Sequence, residues 1–347
     1  MDSLTSYSTS ASKGGPAGEI LVRKSLISAL RSLYNVDIDV ATSDGEMEVM
    51  GKGKVYDLYV FDPWTWAGPG WVLRKFVEDE RKVVILDFFG TEISYVNRNG
   101  GIGGGFDVGR NVLRAYPNKG RDGKGTFLGF FIPQDDIGEQ EEGINGAISG
   151  GVMDVVGGGV GGAGGVGSAD GENSNNAKIV IWGKDPKYFT PRVLHLINSL
   201  SDLPAVTLVT PLPKNSNVNL PNSVIRTGHL SKAEYHSLLK SSTHLLALGH
   251  PLLGPSAVEA VSYGCVLINK KYSGEEDVKG FQTQHDYVKV YVPEKNCEYG
   301  GSGRGEMEEL EEVTNCMGKR AEMGVPKEFR WLDYKARVEG IFNRFLQ

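Results

Sequence analysis

Residues able to do chemistry gather in two short stretches near opposite ends of the chain: Lys13-Gly14-Gly15-Pro16-Ala17-Gly18-Glu19, and Gly254-Pro255-Ser256 with Glu259 about one helical turn further on. The second stretch lies between two apolar runs, Leu245 to Leu248 and Cys265 to Ile268, and so reads as strand, loop, helix, strand. Pro255 suits a first helical turn, where a missing N–H costs nothing, and Ser256 leaves a hydroxyl near the free amides of that turn. Those amides and the helix dipole favour an anion such as a diphosphate, while Glu259 can accept two hydrogen bonds from the vicinal hydroxyls of a ribose. An exposed helix face decorated by Glu259 fits the local pattern equally well.

In the first stretch a glycine loop feeds a helix whose apolar residues, Ile20, Leu21, Leu26, Ile27 and Leu30, recur with helical spacing. A carboxylate at such a helix start either points into a cleft or complements the dipole, and spacing alone favours the second for Glu19. Asp87 and Glu92 sit at the C-terminal end of a predicted strand, the side on which open α/β sheets bind ligands. A solvated loop carboxylate is an equal reading for Glu92. Lys184 follows Gly183 at the end of the predicted strand from Lys178, a place from which an ammonium meets diphosphate oxygens. Asp37 and Asp39 form an Asp-x-Asp pair of the kind that holds a metal, but alternation puts them inside a strand rather than on a loop. The glycine run from Gly100 to Arg110 follows no convincing strand and opens no clear helix, so a dinucleotide fingerprint is rejected there.

The elements that must position these groups alternate between strand and helix. Strands are expected at 36–42, 55–63, 82–89, 126–132, 178–183, 205–210 and within 270–292; helices are expected at 191–200, 232–242 and over the last 17 or so residues. The chain has 347 residues, of which 40% are hydrophobic and 23% charged, enough for two separate cores. Its net charge of −6 provides no basic footprint, which argues against a nucleic-acid partner. Three cysteines cannot build a disulfide framework; Cys297 and Cys316 can form one bridge in an oxidising lumen, with free thiols as the default expectation. No apolar run reaches the ~18 residues of a membrane-spanning helix, so no membrane contact is expected from this chain itself. Between 136 and 177 the sequence turns acidic and then glycine-dominated, the composition of a flexible insertion. The expected organisation is therefore a first domain over 1–135, the insertion, a second domain over 178–330 and a terminal helix over 331–347.

Four blocks in a fixed order resemble glycosyltransferase family 18, the N-acetylglucosaminyltransferase V family: KGGPAGE (Lys13 to Glu19), ILDFFGTE with FLGFF, GHLSKAEYHSLLKSS (Gly228 to Ser242) and LGHPLLGPSAVEAVSYGCVLIN. The resemblance implies a GT-B α/β architecture, two Rossmann-like domains facing a central cleft. It also implies inverting transfer of N-acetylglucosamine from UDP-N-acetylglucosamine to O6 of an α-linked mannose of an N-glycan, in the Golgi, without metal or other cofactor. By the same resemblance Glu19 is the catalytic base, and Asp87 and Glu92 meet the acceptor. The donor falls to Lys184, to the base-facing loop Thr227, Gly228, His229 and Leu230, to Gly254, Pro255, Ser256 and Glu259, and to Lys279. His285 contacts a substrate or is a surface residue. In GT-B proteins a terminal helix often crosses back onto the first domain, and the same is expected here. Two departures stand out: Leu253 replaces an acidic residue, and the glycine run replaces an aromatic acceptor loop. These leave open a nucleotide-sugar transferase with another donor or acceptor, or an inactive glycan-binding relative.

Overall fold

Helix α1 (Ala17–Leu33) shows how the first core is built. Val22, Leu26, Ala29 and Leu30 recur on one face and are buried, which is the stripe a helix needs to lie on a sheet. The buried Ser25 hydroxyl donates to the Leu21 carbonyl at 2.7 Å and accepts from the Phe131 amide at 3.2 Å, tying the helix to the segment behind the first sheet. A computed structural model describes residues 17–41, 55–61, 80–87, 111–115, 126–133, 176–183, 185–248, 254–271, 286–301, 304–317 and 321–346, with Glu46, Lys52 and Val77 besides. The structural statements below concern these residues.

The first sheet has four parallel strands in chain order, β1 (Tyr59–Phe61), β2 (Val83–Asp87), β3 (Val112–Arg114) and β4 (Thr126–Phe127). β2 is buried along its whole length, as an apolar strand covered on both faces should be. The second sheet has six parallel strands: β5 (Ala177–Trp182), β6 (Val206–Thr210), β7 (Ile225–Arg226), β8 (His244–Ala247), β9 (Val266–Lys270) and β10 (Asn296–Tyr299). Across the sheet they lie β10-β9-β8-β5-β6-β7, all parallel. Counted from β5, this is the doubly wound 3-2-1-4-5-6 order, which winds outward in both directions from the β5–β8 pair. The connecting helices are α2 (Pro191–Ser201), α3 (Lys232–Lys240), α4 (Ser256–Ser262), α5 (Asp286–Tyr291) and α6 (Glu306–Cys316). Among the described residues no helix is long and apolar enough to cross a membrane.

Three expectations about the elements are corrected. Residues 36–41 alternate in exposure, with Val36 and Ile38 packed against the first core, but they pair with no strand. Alternation therefore recorded a half-buried extended segment; a ladder also needs a partner edge. The strand expected over 55–63 is confined to Tyr59–Phe61 among the described residues. Residues 286–291 form α5 instead of a strand, because Val288 and Val292, one helical turn apart, are both buried in the second core while Val290 is exposed.

The terminal helix α7 (Trp331–Leu346) crosses back onto the first core, where Trp331, Tyr334, Val338 and Phe342 are buried with α1 and the β4 segment. The Tyr34 hydroxyl donates to Asn343 Oδ1 at 2.6 Å, and Arg337 Nε donates to the Leu128 carbonyl at 3.1 Å. Val258 of α4 belongs to this same packed cluster, and the Tyr291 ring of α5 stacks on Phe127 of β4 at 5.3 Å. Two helices that connect strands of the second sheet, and α7 beyond it, are thus built into the first core.

The cysteine expectation also changes: Cys297 of β10 is bonded to Cys316 at the end of α6, leaving the buried Cys265 as the free thiol. Both partners pack on Val266, and His244 Nε2 lies 3.1 Å from the Cys316 carbonyl. The bridge is the one pairing that the sequence leaves open beside its default of free thiols. Closing a loop of sequence separation 19 removes unfolded-state entropy worth about 3 kcal/mol. Reduction is accordingly expected to lower the unfolding midpoint in urea, measured with and without dithiothreitol; an unchanged midpoint would show that the bridge adds nothing to stability.

Candidate active site

In a doubly wound sheet the crevice for a ligand opens beyond the carboxyl ends of the two central strands, where the chain turns in opposite directions. Here those strands are β5 and β8, paired Trp182 to Ala247, with the Leu248 amide donating to the Trp182 carbonyl at 2.8 Å. Beyond β5 come Gly183 and Lys184; beyond β8 comes the loop to Gly254. Of the sequence-predicted donor residues, Gly254, Pro255, Ser256 and Glu259 follow β8 in the chain, one of these two central strands, while Lys184 and Lys279 lie outside the described residues. The loop after β7 carries the rest. Thr227 is tied back to Thr210 by its amide (2.9 Å) and its hydroxyl (3.2 Å), and Leu230 packs in the cluster that contains Trp182 and Tyr235. Gly228 turns this loop at φ +77°, a conformation that a side chain would resist, and His229 is exposed.

Helix α4 begins at Ser256 after Pro255, and no side chain caps this end. Its first amides thus keep their capacity to donate to an anion. Ala257, Ala260 and Val261 bury one face against β8 and β9, while Val258 enters the first core with Leu21 and Val22. The helix closes in a Schellman turn: Cys265 N–H donates to the Ala260 carbonyl (3.0 Å) and Gly264 N–H to that of Val261 (3.3 Å), with Gly264 at φ +90°.

Glu259 leaves α4 into a polar setting that sequence reading missed. Its Oε1 lies 3.4 Å from His236 Nε2 and 3.7 Å from Lys232 Nζ, both on α3, and its side chain is 14% exposed. Burial alone would raise the carboxyl pKa; the hydrogen bond from His236 and the charge of Lys232 outweigh it and hold the group below the usual range. It is therefore ionised and acts only as an acceptor. The reading of Glu259 as a solvated ornament is excluded by this burial. The missed signal was present: Lys232 and His236 are four residues apart on one face of a capped helix, whose Ser231 and Glu234 form a reciprocal capping box.

Asp87 behaves differently from its expectation. It ends β2 as predicted, but it is 1% exposed and faces the equally buried Arg114, its register partner on β3, with Nε to Oδ2 at 3.9 Å. Its carboxylate is turned to a protein cation rather than to solvent. Glu19 stands in the first turn of α1, and the side chain lies outside the described residues, as do Glu92, Lys184, Lys279 and His285. Helix α1 nonetheless approaches α3 and α4: burial and the charge of Lys232 both depress the pKa of Lys24, and Leu21, Val22 and Val258 share one cluster. The glycine loop and the Gly-Pro loop, far apart in sequence, open helices that pack into the same core.

Residues 167–289 match the model of glycosyltransferase family 18. That span holds β5 to β9 and helix α4, and it is the family the four sequence blocks resemble. The chain is also similar to alpha-1,6-mannosylglycoprotein 6-beta-N-acetylglucosaminyltransferase A of Cricetulus griseus, 23% identical over 320 residues that cover 81% of this chain and 38% of the relative. The Homo sapiens counterpart is 22% identical with the same coverage. The chain thus spans 38% of the length of these relatives. Among solved structures it is similar to the glycotransferase of kitacinnamycin, at TM-score 0.45 and 8% identity, covering 87% of this chain and 74% of that one. Spinosyn rhamnosyltransferase SpnG with its aglycone matches at TM-score 0.41 and 9% identity, covering 93% and 75%.

Proposed function

We propose that this chain is an inverting glycosyltransferase that moves N-acetylglucosamine from UDP-N-acetylglucosamine to O6 of an α-linked mannose on an N-glycan, forming a β-1,6 branch. The observation carrying this reading is the ionised, largely buried Glu259 on a helix that follows the β5–β8 switch point and packs into the core of the Glu19 helix. In this reading Glu259 accepts from the ribose hydroxyls, the start of α4 with Lys184 and Lys279 neutralises the departing diphosphate, and the 227–230 loop faces the base. Glu19 removes the proton from the mannose O6 as that oxygen attacks C1, and the C1–diphosphate bond breaks on the opposite face. Glu92 would meet the acceptor, and Asp87 would shape that wall through its pair with Arg114. A single base and a positively polarised helix end suffice for this step, so it needs no metal. A Golgi location belongs to the same reading.

Incubating the purified chain with UDP-N-acetylglucosamine and a biantennary N-glycan, with mass spectrometry of the product, tests the proposal. A β-1,6-linked N-acetylglucosamine is expected, with little change on adding EDTA. Binding of UDP-N-acetylglucosamine without transfer would move the assignment to another acceptor, a reading favoured by the engagement of Asp87 with Arg114. Loss of activity with EDTA and its return with Mn²⁺ would overturn the metal-free step.

A further inference from the structure

We propose that His236, locked by the Tyr263 hydroxyl, is the positioning residue that aims Glu259 at the ribose of a nucleoside diphosphate. The inference rests on the reading of Glu259 as the ribose acceptor and extends it to groups that do not touch the nucleotide. Two pairs spaced four residues apart face each other here: Lys232 and His236 on α3, and Glu259 of α4 with Tyr263, the residue that caps the C-terminal end of α4. His236 is wedged between the members of the second pair, Nε2 at 3.4 Å from Glu259 Oε1 and Nδ1 at 2.8 Å from the Tyr263 hydroxyl. The His236 and Tyr263 rings are 4.7 Å apart, and both residues are buried.

The chemistry of the four groups assigns the proton. An ionised carboxylate only accepts, so the ring nitrogen facing it, Nε2, carries hydrogen. In the neutral ring Nδ1 then accepts from the Tyr263 O–H, and that bond fixes both the tautomer and the ring plane. Tyr263 cannot drift, because the Schellman turn at Gly264 holds the end of α4. Free glutamate side chains sample several rotamers, and two vicinal hydroxyls can be met together only by a carboxylate held in one plane. With Oε1 engaged by His236 and Lys232, the carboxylate is oriented before the nucleotide arrives, which lowers the ordering cost of binding.

The test compares the affinities of the full chain for UDP and for 2′,3′-dideoxy-UDP by calorimetry. Hydrogen bonds to a charged group predict that the wild type prefers UDP by about tenfold to a hundredfold. His236→Ala is expected to shrink that ratio to within about threefold of unity, and His236→Gln, which can still present an N–H, to restore part of it. Tyr263→Phe keeps the ring in place and should also reduce the ratio; it decides the matter if His236→Ala does not fold. A merely structural histidine would alter the melting temperature and leave the ratio untouched. Retention of the wild-type ratio in folded His236→Ala or Tyr263→Phe, while Glu259→Gln loses it, overturns the positioning role and spares the ribose reading. Retention of the ratio in Glu259→Gln, or no preference in the wild type, overturns both.

Discussion

Replacing Glu19 by glutamine is expected to lower kcat by about a hundredfold to ten-thousandfold while the KM for UDP-N-acetylglucosamine changes little. The reason lies in what the replacement removes. Glutamine preserves size and hydrogen bonding but cannot take a proton, and in the proposed transfer the proton moves only as O6 attacks. In the proposed reading the donor is held by groups of the second sheet and α4 and does not sense the loss. The rival reading, a carboxylate complementing the dipole at the start of α1, predicts a different result: a stability loss of about 1 kcal/mol or less and near-normal turnover. Steady-state kinetics beside a thermal melt separates the two. A kcat within threefold of wild type would end the assignment of Glu19 as base.

Removing the carboxylate of Asp87 should cost about 3–5 kcal/mol of stability, a large share of what holds a typical domain together. Asp87 and Arg114 are paired at the ends of adjacent strands in the interior of the first sheet, both about 1% exposed. Asp87→Ala deletes a carboxylate that faces a deeply buried guanidinium without returning that cation to water. The double replacement Asp87→Leu with Arg114→Met eliminates both charges, and most of the loss should be recovered. Urea midpoints for the single and double variants complete the cycle. A single-variant loss below about 1 kcal/mol would show that the pair contributes little, and would reopen Asp87 as a group available to an acceptor.

The elements that carry the proposed donor residues were legible in the sequence to the extent that local chemistry dictates their place. Gly254-Pro255-Ser256 and Glu259, bounded by two apolar runs, could only be a strand, a loop, a helix start and a strand, and the structure has β8, α4 and β9 there. The apolar stripe of α1 and the run Val83–Asp87 were equally plain, because helical spacing and continuous apolarity are properties of neighbouring residues. The strand expected at 36–41 failed for the complementary reason: alternation is local, whereas a ladder partner is not.

What the amino-acid sequence by itself determined was thus the class of most elements and the parallel α/β character, while the two carboxylates on which the proposed chemistry turns came from the family resemblance. Only the tertiary structure decided their surroundings. It brought Lys232 and His236 to Glu259, turned Asp87 toward Arg114, joined Cys297 to Cys316 and laid α7 and Val258 against the core of α1. Each of these depends on contacts between residues distant in the chain. Packing, not spacing, sets whether a carboxylate meets a cation, a ring nitrogen or water, and that choice fixes what the group can do.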